Sequence, residues 1–211
     1  MARRTLASTW RNFERLVRQY DKAERKDTAK LEELQELARK INKSKITRAL
    51  TTLFIEPYDL ENTSVVFWIS DNGSVPDWQT RFDEENRKIQ ICVLGIFDFI
   101  GRCMEAAESL ETPEARRTFQ LYRYRAYLAE LSKLPGQYFL FLMILREVAS
   151  IKHITDVEKK GGEVEVAEGE EYLKLLWAFK ELEAFFRRSN GLDIRSEYQI
   201  LWLESDWFVG K

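Results

Sequence analysis

Tyr138–Ile154 reads YFLFLMILREVASIKHI, eight apolar residues in succession followed by Arg146-Glu147 and a sparser apolar pattern. A run apolar around the whole helical circumference belongs to a helix buried on most sides. It is far too short to cross a bilayer. A central helix over residues 137–153 is therefore expected to organise the core. Leu134-Pro135-Gly136 closes whatever precedes it, because proline breaks a helix interior and glycine favours a helix end.

Toward the C-terminus, Asp156–Glu171 holds seven acids, two lysines and Gly161-Gly162, the composition of a solvated loop or a short exposed hairpin. A helix is expected at about 168–188, with Leu175, Phe179, Leu182 and Phe186 on one face and Asn190-Gly191 at its end. Tyr198, Leu201, Trp202, Trp207 and Phe208 make the last twenty residues too aromatic for water, so they should dock on the body or on a partner. Toward the N-terminus, Thr112-Pro113-Glu114 supplies a cap, a first-turn proline and a first-turn carboxylate for a helix over 113–133. From Gly95 the pattern is also helical.

Ser64–Ser70 (SVVFWIS) is β-branched and aromatic and runs into Asp71-Asn72-Gly73, a turn signal. Arg87–Leu94 (RKIQICVL) alternates, with Ile89, Ile91 and Val93 on one face and Lys88, Gln90 and Cys92 on the other, which suits a strand covered on one side. Two or three such strands make a small sheet, expected to be antiparallel, and helices must cover its apolar face.

Residues 1–56 contain no proline or glycine. Trp10, Phe13, Leu16/Val17 and Tyr20 recur at helical spacing, as do Leu31, Leu34, Leu37/Ala38 and Ile41. This pattern describes one long amphipathic helix or a two-helix hairpin whose break is an N-cap at Asp27 or Thr28. The chain divides into a basic helical arm, residues 1–56, and an α+β core, residues 57–211. The stripe of Trp10, Phe13, Leu31, Leu34 and Leu37 would serve oligomerisation or the binding of a partner.

Composition agrees with a predominantly helical α+β protein: 211 residues, 45% hydrophobic, with 9 glycines and 4 prolines, argue against collagen-like, low-complexity and many-stranded all-β chains. The 33 basic and 35 acidic residues nearly cancel, so no overall field drives binding to nucleic acid or an anionic membrane. Residues 1–48 do carry 14 Lys/Arg against 7 Asp/Glu. The arm could hold an acidic partner or nucleic acid, as the interleaved arginines and tyrosines of residues 116–127 could stack nucleotides, yet the arm's interspersed acids read as a solvated helix face. Arg116, Arg117, Arg123 and Arg125 among Tyr122, Tyr124 and Tyr127 point several ways on a helix, as packing and snorkelling require. Two cysteines, Cys92 and Cys103, make no disulfide framework, and MARRTLASTWRNFERL lacks a signal-peptide core. A cytoplasmic protein is expected.

The chemistry that can be assembled is narrow. A histidine-based zinc site needs more imidazole than His153 alone provides. No CxxC, Glu-x-x-His, GxGxxG, Walker loop or GxSxG occurs. Asp98, Glu105 and Glu108 are acids whose separation sequence does not fix. No nucleophile, base and orienter come together, so no cofactor and no catalytic set are assigned.

Arg146-Glu147-Val148-Ala149-Ser150 at the end of the apolar run, with Glu170-Glu171-Tyr172 and Trp177-Ala178-Phe179 downstream, resembles the zincin metallopeptidases. In that family one helix carries His-Glu-x-x-His and a later helix brings a third ligand, often Glu. The resemblance, covering residues 136–186, implies a small sheet whose edge strand lies above the helix, with Arg87–Leu94 in that place. It also implies that Glu147 matches the general base and Glu171 the third ligand. Arg146 and Ser150 stand at the two histidine positions, so the metal site is degenerate: a guanidinium repels a cation and a serine hydroxyl binds zinc poorly. Arg146 would then fill the vacated place and pair with Glu171. The blander alternative is that Arg146 and Glu147 begin the exposed part of a core helix. The expected function is a non-catalytic, zincin-like domain that binds a peptide or protein; the alternative is a helical adaptor acting through its arm.

Overall fold

The computed structural model describes residues 2–109, 136–161, 174–175, 177–182 and 184–185. The expected helix 113–133, Glu171 with most of the acidic stretch, and the aromatic C-terminus lie outside the described residues.

Residues 2–54 form helices α1 (Ala2–Lys22), α2 (Thr28–Asn42) and α3 (Lys45–Phe54). The hairpin alternative is the one adopted, and Asp27 makes the break: its side chain accepts the Lys30 N–H at 3.1 Å. Glu24 and Arg25 close α1 in left-handed conformation, φ 51° and 57°, with the Arg25 N–H returned to the Tyr20 carbonyl. The separate start of α3 was not expected. Ser44 creates it by accepting the Ile46 N–H while donating to the Ile41 carbonyl, a cap that needs neither proline nor glycine.

Strands β1 (Ser64–Trp68), β2 (Thr80–Asp83) and β3 (Lys88–Cys92) are followed by α4 (Val93–Ser109) and the long helix α5 (Gly136–Lys159). The sheet is mixed rather than antiparallel: its order is β1-β3-β2, with β1 parallel to β3 and β2 antiparallel. The turn at Asp71-Asn72-Gly73 does form, with Gly73 at φ +70° and its N–H on the Ser70 carbonyl. It does not join paired neighbours, however, because the chain goes on to place β2 on the far side of β3. The hairpin is β2–β3, turned at residues 84–87, where Asp83 accepts the Asn86 N–H and Arg87 takes φ +51°. The outer edge of β1 is sealed by helices. Asn42 donates to the Phe67 carbonyl and accepts the Phe67 N–H, both at 2.8 Å, and Thr51 receives the Val65 N–H.

One buried cluster runs from the arm through the sheet to α5 and to Leu175, Phe179 and Leu182 of the helical residues beyond it. Phe139–Leu145 are all buried, as the apolar run requires. The arm does not protrude. Trp10 stacks on Phe97 and Phe13 on Phe67, at 5.0 and 5.8 Å between ring centroids, while Leu31 and Leu34 are buried and Leu37 packs half-buried against the same cluster. The stripe expected to meet a partner is spent covering the sheet and α5, which are too apolar to face water alone. Among the described residues no helix is long and apolar enough to cross a membrane.

Candidate functional site

α5 lies against β2, and the two meet at Arg146 and Glu147, only 7% and 9% exposed. Among the described residues the Arg146 guanidinium bonds to four acceptor atoms. Nη2 donates to Glu147 Oε1 at 2.7 Å and Nε to the same oxygen at 3.2 Å. Nη1 donates to Gln79 Oε1 at 3.1 Å. Nη2 also reaches the Thr80 carbonyl at 3.2 Å and the Thr80 hydroxyl at 2.8 Å. Thr80 Oγ1 in turn donates to Glu147 Oε1 at 2.9 Å, so this hydroxyl accepts from the cation and gives to the anion.

Burying two charges costs several kcal/mol each unless geometry and further hydrogen bonds offset it. Gln79 and Thr80 supply those bonds, which is why the pair can sit inside. The chemistry that results is that of a fixed structural cation. A guanidinium keeps its proton at any physiological pH, and Glu147 is turned toward Arg146 and Thr80 rather than toward open solvent.

Of the residues singled out from sequence, Arg146 and Glu147 come together. Ser150, one turn further on, is half-buried and takes no part in this network. Glu171 lies outside the described residues. His153 is exposed on α5, two turns past Arg146. Asp98 is engaged by Arg25, whose guanidinium it holds above its ordinary value chiefly through that hydrogen bond; Glu105 and Glu108 are exposed. Among the described residues no three His, Cys, Asp or Glu side chains converge as a metal group would need. Gln79 and Thr80 were missed. The signal that could have found them is the alternation of Thr80 and Phe82 against Arg81 and Asp83, a short strand after Pro76.

The strand over α5 is also not the one expected. Arg87–Leu94 supplies the central strand β3, and the edge beside α5 is β2. The Cys92 N–H donates to the Gln79 carbonyl at 2.8 Å. With the register Arg81↔Gln90 and Asp83↔Lys88, residues 79, 81 and 83 therefore bond to β3, while Thr80 and Phe82 turn their N–H and C=O groups to the outer edge. Arg146 takes the Thr80 carbonyl. The Phe82 N–H and carbonyl have no partner among the described residues. A separate concavity of about 510 Å³ opens between α2 and the other face of the sheet, bordered by Gln35, Arg39, Asn42, Trp68 and Lys88; it excludes Arg146 and Glu147. Comparison with family models, curated proteins and solved structures finds no match for this chain.

Proposed function

We propose that this chain is a non-catalytic, zincin-like domain that binds a peptide or protein segment along the outer edge of β2. The observation that carries the reading is the contact of Arg146 and Glu147 with an edge strand. The step of α5 that would hold a metallopeptidase's metal faces β2, and a permanent cation stands there already, bonded to Glu147 and to the Thr80 carbonyl. Zinc would meet that charge at close range. What remains for function is the backbone edge at Phe82, a place where an extended segment can add as a strand. The adaptor alternative needs an exposed apolar stripe on the arm, and the fold buries Trp10, Phe13, Leu31 and Leu34 and half-buries Leu37.

Titrating the purified full chain with Zn²⁺ should give no tight stoichiometric uptake. In a ¹⁵N-labelled sample, extended peptides should shift the Phe82 amide and remain uncleaved. Tightly held zinc, accompanied by peptide cleavage that a chelator abolishes, would overturn this reading.

A further inference from the structure

We propose that the segment taken up along β2 carries a carboxylate side chain, and that Arg81 is the group that recognises it; this rests on the edge-binding reading above. Arg81 is exposed on the solvent side of the sheet, between Thr80 and Phe82. Its guanidinium carbon stands 4.6 Å over the Trp78 ring, and Trp78 leans on Trp68 at 5.3 Å. Nε donates to Gln90 Oε1 at 2.7 Å. Gln90 is held in turn, since its amide donates to Asp83 Oδ2 at 3.1 Å. One face of the guanidinium is thus fixed by an indole and one edge by an amide.

The Nη groups have no partner among the described residues. Asp83, two residues along β2 from Arg81, is already engaged by the Asn86 N–H, the Asn86 amide and Gln90. An arginine so held presents a planar fork suited to two parallel bonds with a carboxylate. Because its side chain is ordered before the ligand arrives, less entropy is lost on binding than for a mobile arginine.

Register decides which ligand residue meets that fork. A strand added antiparallel to β2 bonds to Phe82, since Arg146 occupies the Thr80 carbonyl. The residue across from Arg81 then sits in the non-hydrogen-bonded position, where Cα atoms approach to about 4.5 Å and side chains share a face. Its neighbour across from Phe82 points to the opposite face, beside a half-buried ring that Arg87 already covers. The expected ligand is therefore an extended peptide with Asp or Glu opposite Arg81 and an apolar, β-branched residue next to it. Nucleobase stacking is less well served, because the guanidinium occupies one face of the Trp78 ring.

The test uses the ¹⁵N-labelled full chain and three capped pentapeptides, Thr-Val-Thr-Val-Xaa with Glu, Gln or Lys as the last residue, so that Xaa meets Arg81, the preceding Val meets Phe82 and the rest runs past Asp83, clear of Arg146. The Phe82 amide and the Arg81 Nε–H should shift together. The Glu peptide should bind about fivefold tighter than the Gln peptide, with Lys the weakest. Most of that preference should vanish in 1 M salt, where the screening length is about 3 Å. Arg81→Gln should remove the preference while leaving binding of the Gln peptide, and Arg81→Lys, which keeps charge but loses the fork, should retain less than half of it. Equal binding of Glu and Gln peptides with Phe82 still shifting overturns the role of Arg81 and spares edge binding. Absence of any Phe82 shift at millimolar peptide overturns both, as does a (dT)8 oligonucleotide shifting the Arg81 resonance where no peptide does.

Discussion

Arg146 illustrates how one charged side chain can be settled inside a core by the groups it meets. Among the described residues its ion-pair partner is the adjacent Glu147, and Gln79 and Thr80 add bonds that help make burial tolerable. Arg146→Met should strand a buried carboxylate and destabilise the protein by about 3 kcal/mol, whereas Arg146→Met with Glu147→Leu should recover most of that loss. Urea unfolding of the two variants measures the difference; equal losses in both would show that the pair contributes packing alone. The existence of an Arg-Glu step at the end of the apolar run was legible in the sequence. Its burial was not. The periodicity of α5 allowed Arg146 to begin the exposed part of the helix, and solvent in fact starts later, at Lys152 and His153. Nothing within a few residues of Arg146 signals that Gln79 and Thr80 will stand over it.

The sheet is shaped by how its edges are closed. β1 needs no fourth strand because the Asn42 amide pairs with both backbone groups of Phe67. Asn42→Ala should leave that N–H and carbonyl without partners and cost about 2 kcal/mol, read as a lower urea midpoint at unchanged slope. Faster amide exchange at Phe67 should accompany it; unchanged protection there would mean that water or another group replaces Asn42. β2 is treated differently, with one carbonyl capped by Arg146 and the backbone groups of Phe82 left without a partner among the described residues. The helical and strand segments were mostly readable, since the cap at Asp27 and the alternation in β3 are local features. Their pairing was not. Asp71-Asn72-Gly73 announces a turn without saying which strand comes beside which, and β2 offers only four residues of alternating pattern.

Across the molecule, the arm and the remainder share one hydrophobic cluster. Cys92 and Cys103, both free and buried, report on its integrity. Burial pushes the Cys92 thiol up to about 11 and the Cys103 thiol to about 12, from an ordinary value of 9.0. Unfolded thiols ionise first, so stability should fall as pH climbs from near 9 toward 12, while these two groups leave it unaffected below that window. At pH 8 a disulfide reagent should leave both thiols unreacted in the native protein and label both in urea. Rapid native labelling would show that the core around α4 opens without global unfolding.

Residues three or four apart in a helix, or two apart in a strand, feel each other directly, and that short reach was enough to settle a mainly helical chain built on one apolar helix. It was enough, too, to name Asp27 or Thr28 as the cap of any break in the arm, though not to choose the hairpin over a single long helix. Contacts between distant residues settled the rest: the parallel pairing of β1 with β3, the burial of the arm's apolar stripe, and the capture of Arg146 by Gln79, 67 positions away. A periodic pattern says which face of an element avoids water. Which other element covers that face depends on the shape and hydrogen-bonding groups of partners far along the chain.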